Sequence, residues 1–188
     1  MGVYKYLSKS WRKDETPFEV RKERLIAWRS EPATIRVEHP TRLNRAKALG
    51  YKAKQGFFIV RQCVSRGGHT RPTWAGGRRS RNMSPRMNLR KNYQLIAEER
   101  AAKKFVNCEV LNSYYADQDG KQFWFEVILA DKAHPNVKAS LDWIAEPKHT
   151  GRVFRGLTSA GRKVRGLRHK GMGSEKTRPS RRANDRRL

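Results

Sequence analysis

Apolar residues along this chain recur with two different periods. From residue 3 to residue 49 the spacing is helical. Val3, Tyr4, Leu7 and Trp11 share one face, with Lys5, Lys9, Arg12 and Lys13 elsewhere. A second helix has a clear start: Thr16 fits the N-cap, Pro17 the first helical position, and Glu19 completes a capping box. Phe18, Leu25, Ile26 and Trp28 are its apolar positions, and Pro32 stops it. Residues 33–38, ATIRVE, alternate and fit a short strand. Thr41 then caps a short helix whose Leu43, Ala46 and Leu49 face one way, while Arg42, Arg45 and Lys47 face other ways. Gly50 falls where a C′ glycine belongs.

At Gly56 the pattern changes to that of a strand. GFFIVRQCVS (56–65) is β-rich and of buried character. After a long irregular stretch, NYQLIAEERAAKKF (92–105) predicts a helix capped by Asn92. Leu95, Ile96, Ala102 and Phe105 form its apolar face, and Glu99–Lys103 is a supporting i,i+4 pair. CEVLNSYYA (108–116), DQDG (117–120) and KQFWFEVILA (121–130) predict a hairpin turning at Asp119-Gly120. Phe123, Phe125, Val127 and Leu129 alternate with Trp124, Glu126 and Ile128. One face of that strand is therefore core, and Trp124 is either part-exposed or covered by a helix. The aromatics Tyr114, Tyr115, Phe123, Trp124 and Phe125 would also suit a base-stacking platform, but core packing is the better account. HPNVKASLDWIAE (134–146) predicts a short helix with Val137, Leu141 and Ile144 inward.

The order strand, long loop, helix, hairpin, helix predicts an α+β fold, with a small antiparallel sheet of three or so strands packed with helices. The organisation expected is a basic helical arm over 1–55, a core over 56–146 that includes a basic loop at 66–91, and an extended basic tail over 147–188.

Charge changes the picture most. The chain carries 43 Lys+Arg against 17 Asp+Glu, a net charge of +26. Residues 92–149 are slightly acidic at −2, between 61–91 at +9 with no acid and 150–188 at +11. The loop 66–91 holds seven arginines, one lysine, four glycines and two prolines, and no aliphatic cluster that would order it. Arginine pairs bidentately with phosphate and stacks on bases, while glycine lets the backbone approach a phosphate chain. A mixed-sign solvated surface would not produce such a one-signed block, so nucleic acid is the indicated partner. RNA is favoured over DNA, because the basic residues lie in irregular segments rather than on a compact recognition helix. A basic DNA-packing protein, or an RNA binder that is not integral to a larger particle, is the alternative.

Other chemistries find little footing. No GxSxG, HExxH or Walker A pattern occurs. The carboxylates Glu98, Glu99 and Glu109 read as helix pairing and surface, and Asp117 and Asp119 as a turn, so no enzyme, cofactor or small-molecule substrate is expected. Cys63, His69 and Cys108 lack ligand spacing, so no metal is expected and the cysteines read as small buried hydrophobes. No apolar run approaches the roughly 20 residues of a membrane span, and MGVYKYLSKSW lacks a signal-peptide core and the myristoylation pattern. The chain reads as soluble and intracellular, with no membrane partner.

Four stretches are similar to one known family. MGVYKYLSKSWRK at the start, HPTRLNRAKALGYKAKQGFFIVR at 39–61, AEERAAKKFVNCEVLNSYYADQDGKQFWFEVILAD at 97–131 and VFRGLTSAGRKVRGL at 153–167 resemble the large-subunit ribosomal protein fifteen of the archaeal and eukaryotic type, the L15e family. The ending GMGSEKTRPS resembles its archaeal branch. The resemblance implies a structural RNA-binding component of the large ribosomal subunit, in the cytoplasm. Its partners would be large-subunit rRNA and neighbouring ribosomal proteins. It further implies RNA contacts at the basic residues of the matched motifs: Arg42, Arg45, Lys47, Lys52, Lys54, Arg61, Arg155, Arg162, Lys163 and Arg165. Composition adds Arg66, His69, Arg71, Trp74, Arg78, Arg79, Arg81, Arg86, Arg90 and Lys91 in the loop. It also adds Arg152, Arg168, Lys170, Arg178, Arg181 and Arg182 in the tail. The stretch 41–65 would then couple an RNA-gripping helix and the Lys52–Lys54 passage to the strand at 57–64.

Overall fold

The computed structural model of the chain describes residues 2–12, 18–70, 76–78, 86–87 and 91–168. The expected cap at Thr16 and Pro17, most of the basic loop and residues 169–188 lie outside them.

Four strands form one antiparallel sheet: β1 (Thr34–Val37), β2 (Phe57–Ser65), β5 (Cys108–Gln118) and β6 (Gln122–Asp131), in the order β1-β2-β6-β5. The alternating residues after Pro32 thus supply a fourth strand to the sheet expected from the rest of the chain. A separate two-residue pair joins β3 (His69–Thr70) to β4 (Arg86–Met87) at the base of the basic loop.

Both faces of the sheet are buried, where the alternation in 123–129 predicts one. Phe125, Val127 and Leu129 of β6 pack with Val60, Val64 and Val110 under α4 (Tyr93–Lys104) and α6 (Ser159–Val164). The intervening residues face three separate covers. Trp124 meets Trp28 of α2 (Phe18–Ser30), Ile128 meets Ala46 of α3 (Leu43–Ala48), and Ala130 meets Val137 of α5 (Pro135–Ser140) and Ile144 beyond it. The covering helix leaves Trp124 fully buried, its ring centroid 5.7 Å from that of Trp28.

Two register shifts in β5, between Val110 and Asn112 and between Tyr115 and Asp117, change which face each residue meets. An inserted residue reverses the alternation beyond it. Val110 therefore packs toward α4, Tyr114 toward α3, and Asp117 toward α2, where Arg21 grips it with Nη2 2.6 Å from Oδ1. At the hairpin tip, Asp119 Oδ1 accepts the N–H groups of Lys121 and Gln122. The hairpin turns at Asp119-Gly120 as expected and is closed by that side chain, with Gly120 not at positive φ. Arg29 Nε donates to Asp119 Oδ2 at 2.9 Å and ties α2 to the tip.

Asn92 caps α4 as expected, accepting the Leu95 N–H at 2.8 Å. Glu99, however, pairs with Lys91 at 2.8 Å rather than with Lys103. The buried face of α4 is Leu95, Ala97, Glu98 and Ala101. Residues 151–168, expected as extended tail, fold back on this helix, and Val153 and Ala160 belong to the core. Glycine is frequent there because the packing is tight: a Cβ on Gly161 would lie 2.6 Å from Gly156 Cα.

Candidate nucleic-acid interface

Two short helices carry exposed cations while their opposite sides are fixed to the sheet. The first is α3. Ala46 is fully buried against Ile59 and Ile128, which turns Arg45 and Lys47 outward. Gly50, at φ +100, ends the helix as expected, with its N–H on Lys47 O and the Tyr51 N–H on Ala46 O. The chain then runs through Lys52, whose ammonium lies 5.9 Å from the Phe57 ring, and exposed Lys54 into β2.

The start of α3 departs from expectation. Its N-cap residue is Arg42, with no side-chain cap, and Thr41 does something else. The Thr41 N–H and hydroxyl both donate to the carboxylate of Glu126, which also accepts from the Tyr114 hydroxyl. Glu126 is fully buried in β6. Burial, then the nearby Glu126 charge, pushes the Tyr114 phenol well above its usual range, so it stays a donor. Arg42 lies beside this group with its guanidinium 4.8 Å from the Trp11 ring of α1 (Val3–Arg12) and Nη1 3.4 Å from Tyr115 O.

The second helix is α6. Thr158 caps it through the Gly161 N–H at 3.2 Å and donates its hydroxyl to Glu98 at 2.6 Å. Ser113 donates to the other oxygen of the same carboxylate. Glu98 is fully buried, and burial pushes its carboxyl above the ordinary 4.5 despite those two hydrogen bonds. With Ala160 and Gly161 buried, Arg162 and Lys163 point outward, and Arg168 follows, exposed.

The remaining basic residues divide by what they touch. Arg61 is only 8% exposed, pairs with Glu31 at 2.5 Å and lies 4.3 Å over the Trp28 ring, so within the fold it serves the core. Arg152 is half-buried. Its Nη1 donates to Val110 O at 3.0 Å, its guanidinium lies 5.1 Å from the Trp143 ring, and burial lowers its pKa. Arg155 binds the carbonyls of Lys148 and Thr150, and Arg165 that of Gly156. Arg66 donates to Asp119 O at 2.8 Å, and Arg78 is exposed. Lys91 is exposed but carries the Glu99 ion pair. His69 and Arg86 are described only as backbone in β3 and β4. Arg71, Trp74, Arg79, Arg81, Arg90, Lys170, Arg178, Arg181 and Arg182 lie outside the described residues.

Of the acids read as helix pairing, surface or turn, Glu98, Glu109 and Asp117 are buried instead, while Glu99 and Asp119 stay part-exposed. Glu98, Glu109, Asp117 and Glu126 are all buried, each holding a covering element to the sheet. Glu109 does so by accepting the Gly151 N–H at 2.9 Å. Sequence reasoning missed this set; the one available signal is that each sits at or beside an apolar position of its strand or helix. The two cysteines are free and half-buried, and burial raises both thiols, Cys108 to about 11, so both stay protonated. Among the described residues no His, Cys, Asp and Glu cluster could hold a metal, and no helix is long and apolar enough to cross a membrane.

A family model described as Ribosomal L15 matches residues 2–184. The chain is 51% identical over 190 residues to a large ribosomal subunit protein eL15 of Thermoplasma volcanium, covering 98% of this chain and 96% of the relative. The eL15 protein of Picrophilus torridus is 50% identical over 191 residues, covering 99% and 98%. That of Methanocella arvoryzae is 48% identical over 191 residues, covering 99% and 97%.

Proposed function

The chain belongs to the L15e family of ribosomal proteins, in its archaeal branch, and we propose that it is a structural constituent of the large ribosomal subunit that binds and stabilises folded rRNA. The observation that carries this reading is the division of charge. Arg45, Lys47, Lys54, Arg162, Lys163 and Arg168 are exposed, and no carboxylate of the described residues pairs with them. The carboxylates of the core are meanwhile turned inward. Cations held on sheet-anchored helices keep their geometry before RNA arrives, so less ordering cost falls on binding.

Rigid contacts from α3 and α6 would orient the protein on rRNA, and the basic loop and tail would extend along the phosphates. Neighbouring ribosomal proteins are the remaining partners. Each neutralised phosphate releases counterions, so affinity should fall steeply with salt. Binding of the full chain to large-subunit rRNA fragments across a salt series tests this; a salt-independent affinity would overturn it. Co-sedimentation with large subunits after a high-salt wash separates an integral constituent from a passing binder. A chain lacking 66–91 is expected to keep its core and fail to enter subunits.

A further inference from the structure

The chain leaves the sheet at the end of β1. Val37 pairs with Ile59, and nothing continues the ladder beyond it. A cleft of about 350 Å³ opens there, lined by Arg36, Val37, Glu38, Tyr51, Phe57 and Phe58. That volume is near the lower end of the roughly 300–1,000 Å³ of small-molecule sites, the scale of one nucleotide.

Three properties of the lining select one kind of occupant. The first is flat surface. The Arg36 guanidinium lies 4.9 Å from the Phe58 ring, and the Tyr51 ring is half-buried in the wall; unpaired bases stack on both kinds of group. The second is positive charge, from exposed Arg36 and from Lys52 beside Phe57. The third is Glu38. It is exposed, and no described residue gives it a hydrogen bond or an ion pair. A carboxylate repels phosphate, so what it can accept from on an RNA is the donors of a base edge. Guanine alone presents two adjacent donors, N1–H and the N2 amino group, on its Watson–Crick edge. Adenine and cytosine each place an acceptor beside their amino group, and uracil flanks its single donor with acceptors.

We propose that this cleft holds an unstacked guanine of single-stranded RNA, with both Glu38 oxygens accepting from N1–H and N2–H. The proposal rests on the RNA-binding reading above and makes this one position of it sequence-selective. The edge strand supplies the reason for the location: the cleft opens where the β1–β2 ladder stops, between the strand and the chain that leaves it.

The test uses the full chain with the pentaribonucleotides UUGUU and UUAUU at one fixed salt concentration, read by fluorescence anisotropy. Wild type is expected to bind UUGUU roughly tenfold tighter, the contrast typical of a paired hydrogen-bond contact to a base. Glu38→Gln should abolish that preference while leaving UUAUU binding as tight or slightly tighter, since a negative charge is lost. A Glu38→Gln chain that gains affinity for both RNAs and keeps the preference would overturn the proposal. Equal binding of both RNAs by wild type, with the expected salt dependence, overturns the cleft and leaves the RNA-binding reading standing. Failure to bind either pentamer by a chain that still binds large-subunit rRNA fragments overturns the cleft alone; failure to bind the rRNA fragments as well overturns both.

Discussion

Thr41 and Glu126 meet across 85 positions of sequence: the Thr41 N–H donates to Glu126 Oε2 at 3.0 Å, and the Thr41 hydroxyl donates to the same carboxylate. This places the start of α3 on the centre of the sheet through a buried charge. An unsatisfied buried acceptor costs about 1–3 kcal/mol, more when it is charged. Thr41→Ala is therefore expected to lose about that much stability, read from the urea midpoint at unchanged slope. Thr41→Ser keeps the hydroxyl and should retain most of it. If Thr41→Ala unfolds at the wild-type midpoint, the hydroxyl contributes nothing to holding α3.

Arg61 and Arg45 lie in one family-like stretch but have opposite roles. Arg61→Ala removes the partner of the part-exposed Glu31 carboxylate and uncovers the Trp28 ring, and should destabilise the fold by about 1–3 kcal/mol. It should not change the slope of log K for RNA against log salt. Arg45→Ala should leave unfolding alone and reduce that slope by about 0.7–0.9, one phosphate contact. The two effects exchanged between the variants would refute the assignment.

Gly161 approaches Gly156 too closely for a side chain, with a Cβ at 2.6 Å from backbone. Gly161→Ala forces the 151–168 segment off α4 and should cost about 1–3 kcal/mol, as overpacked cores do. It should also weaken RNA binding, because Arg162 and Lys163 ride on the displaced helix. Hydrogen exchange across 153–164 reads the loosening directly; protection equal to wild type would contradict it.

Glu98 gives stability an unusual pH dependence. Its folded carboxyl titrates above the ordinary 4.5, so the folded state binds the proton more tightly than the unfolded state. Its contribution is complete below 4.5 and is lost as pH rises from there through the folded value. Glu98→Gln, which stays neutral, lacks this loss. The stability of wild type minus that of the variant should therefore fall as pH is raised from 4 toward neutrality, roughly 1.4 kcal/mol for each unit separating the two titrations. A difference that stays flat across that range would show that Glu98 is not titrating above its unfolded value.

Several elements are legible in the residues themselves. The helices 3–12 and 93–104, the Asn92 cap, the Gly50 stop and the hairpin strands follow from local periodicity and local hydrogen bonds, and the structure has all of them. The glycine-rich 151–168 segment hides its fold because its turns and its close contact use the same residue that marks flexible chain elsewhere. The bulges of β5 are equally hidden, since an inserted residue is visible only against the partner strand.

By itself the sequence determined the kinds of element, the placement of charge in blocks and the family, because each depends on residues near one another or on their sum. Only the tertiary structure decided which charges remain for a partner. Arg61 is taken by Glu31 from 30 positions away, and Glu98 is buried by Thr158 from 60. A side chain's charge is written at its own position, but whether it stays in water is set by what the fold brings against it.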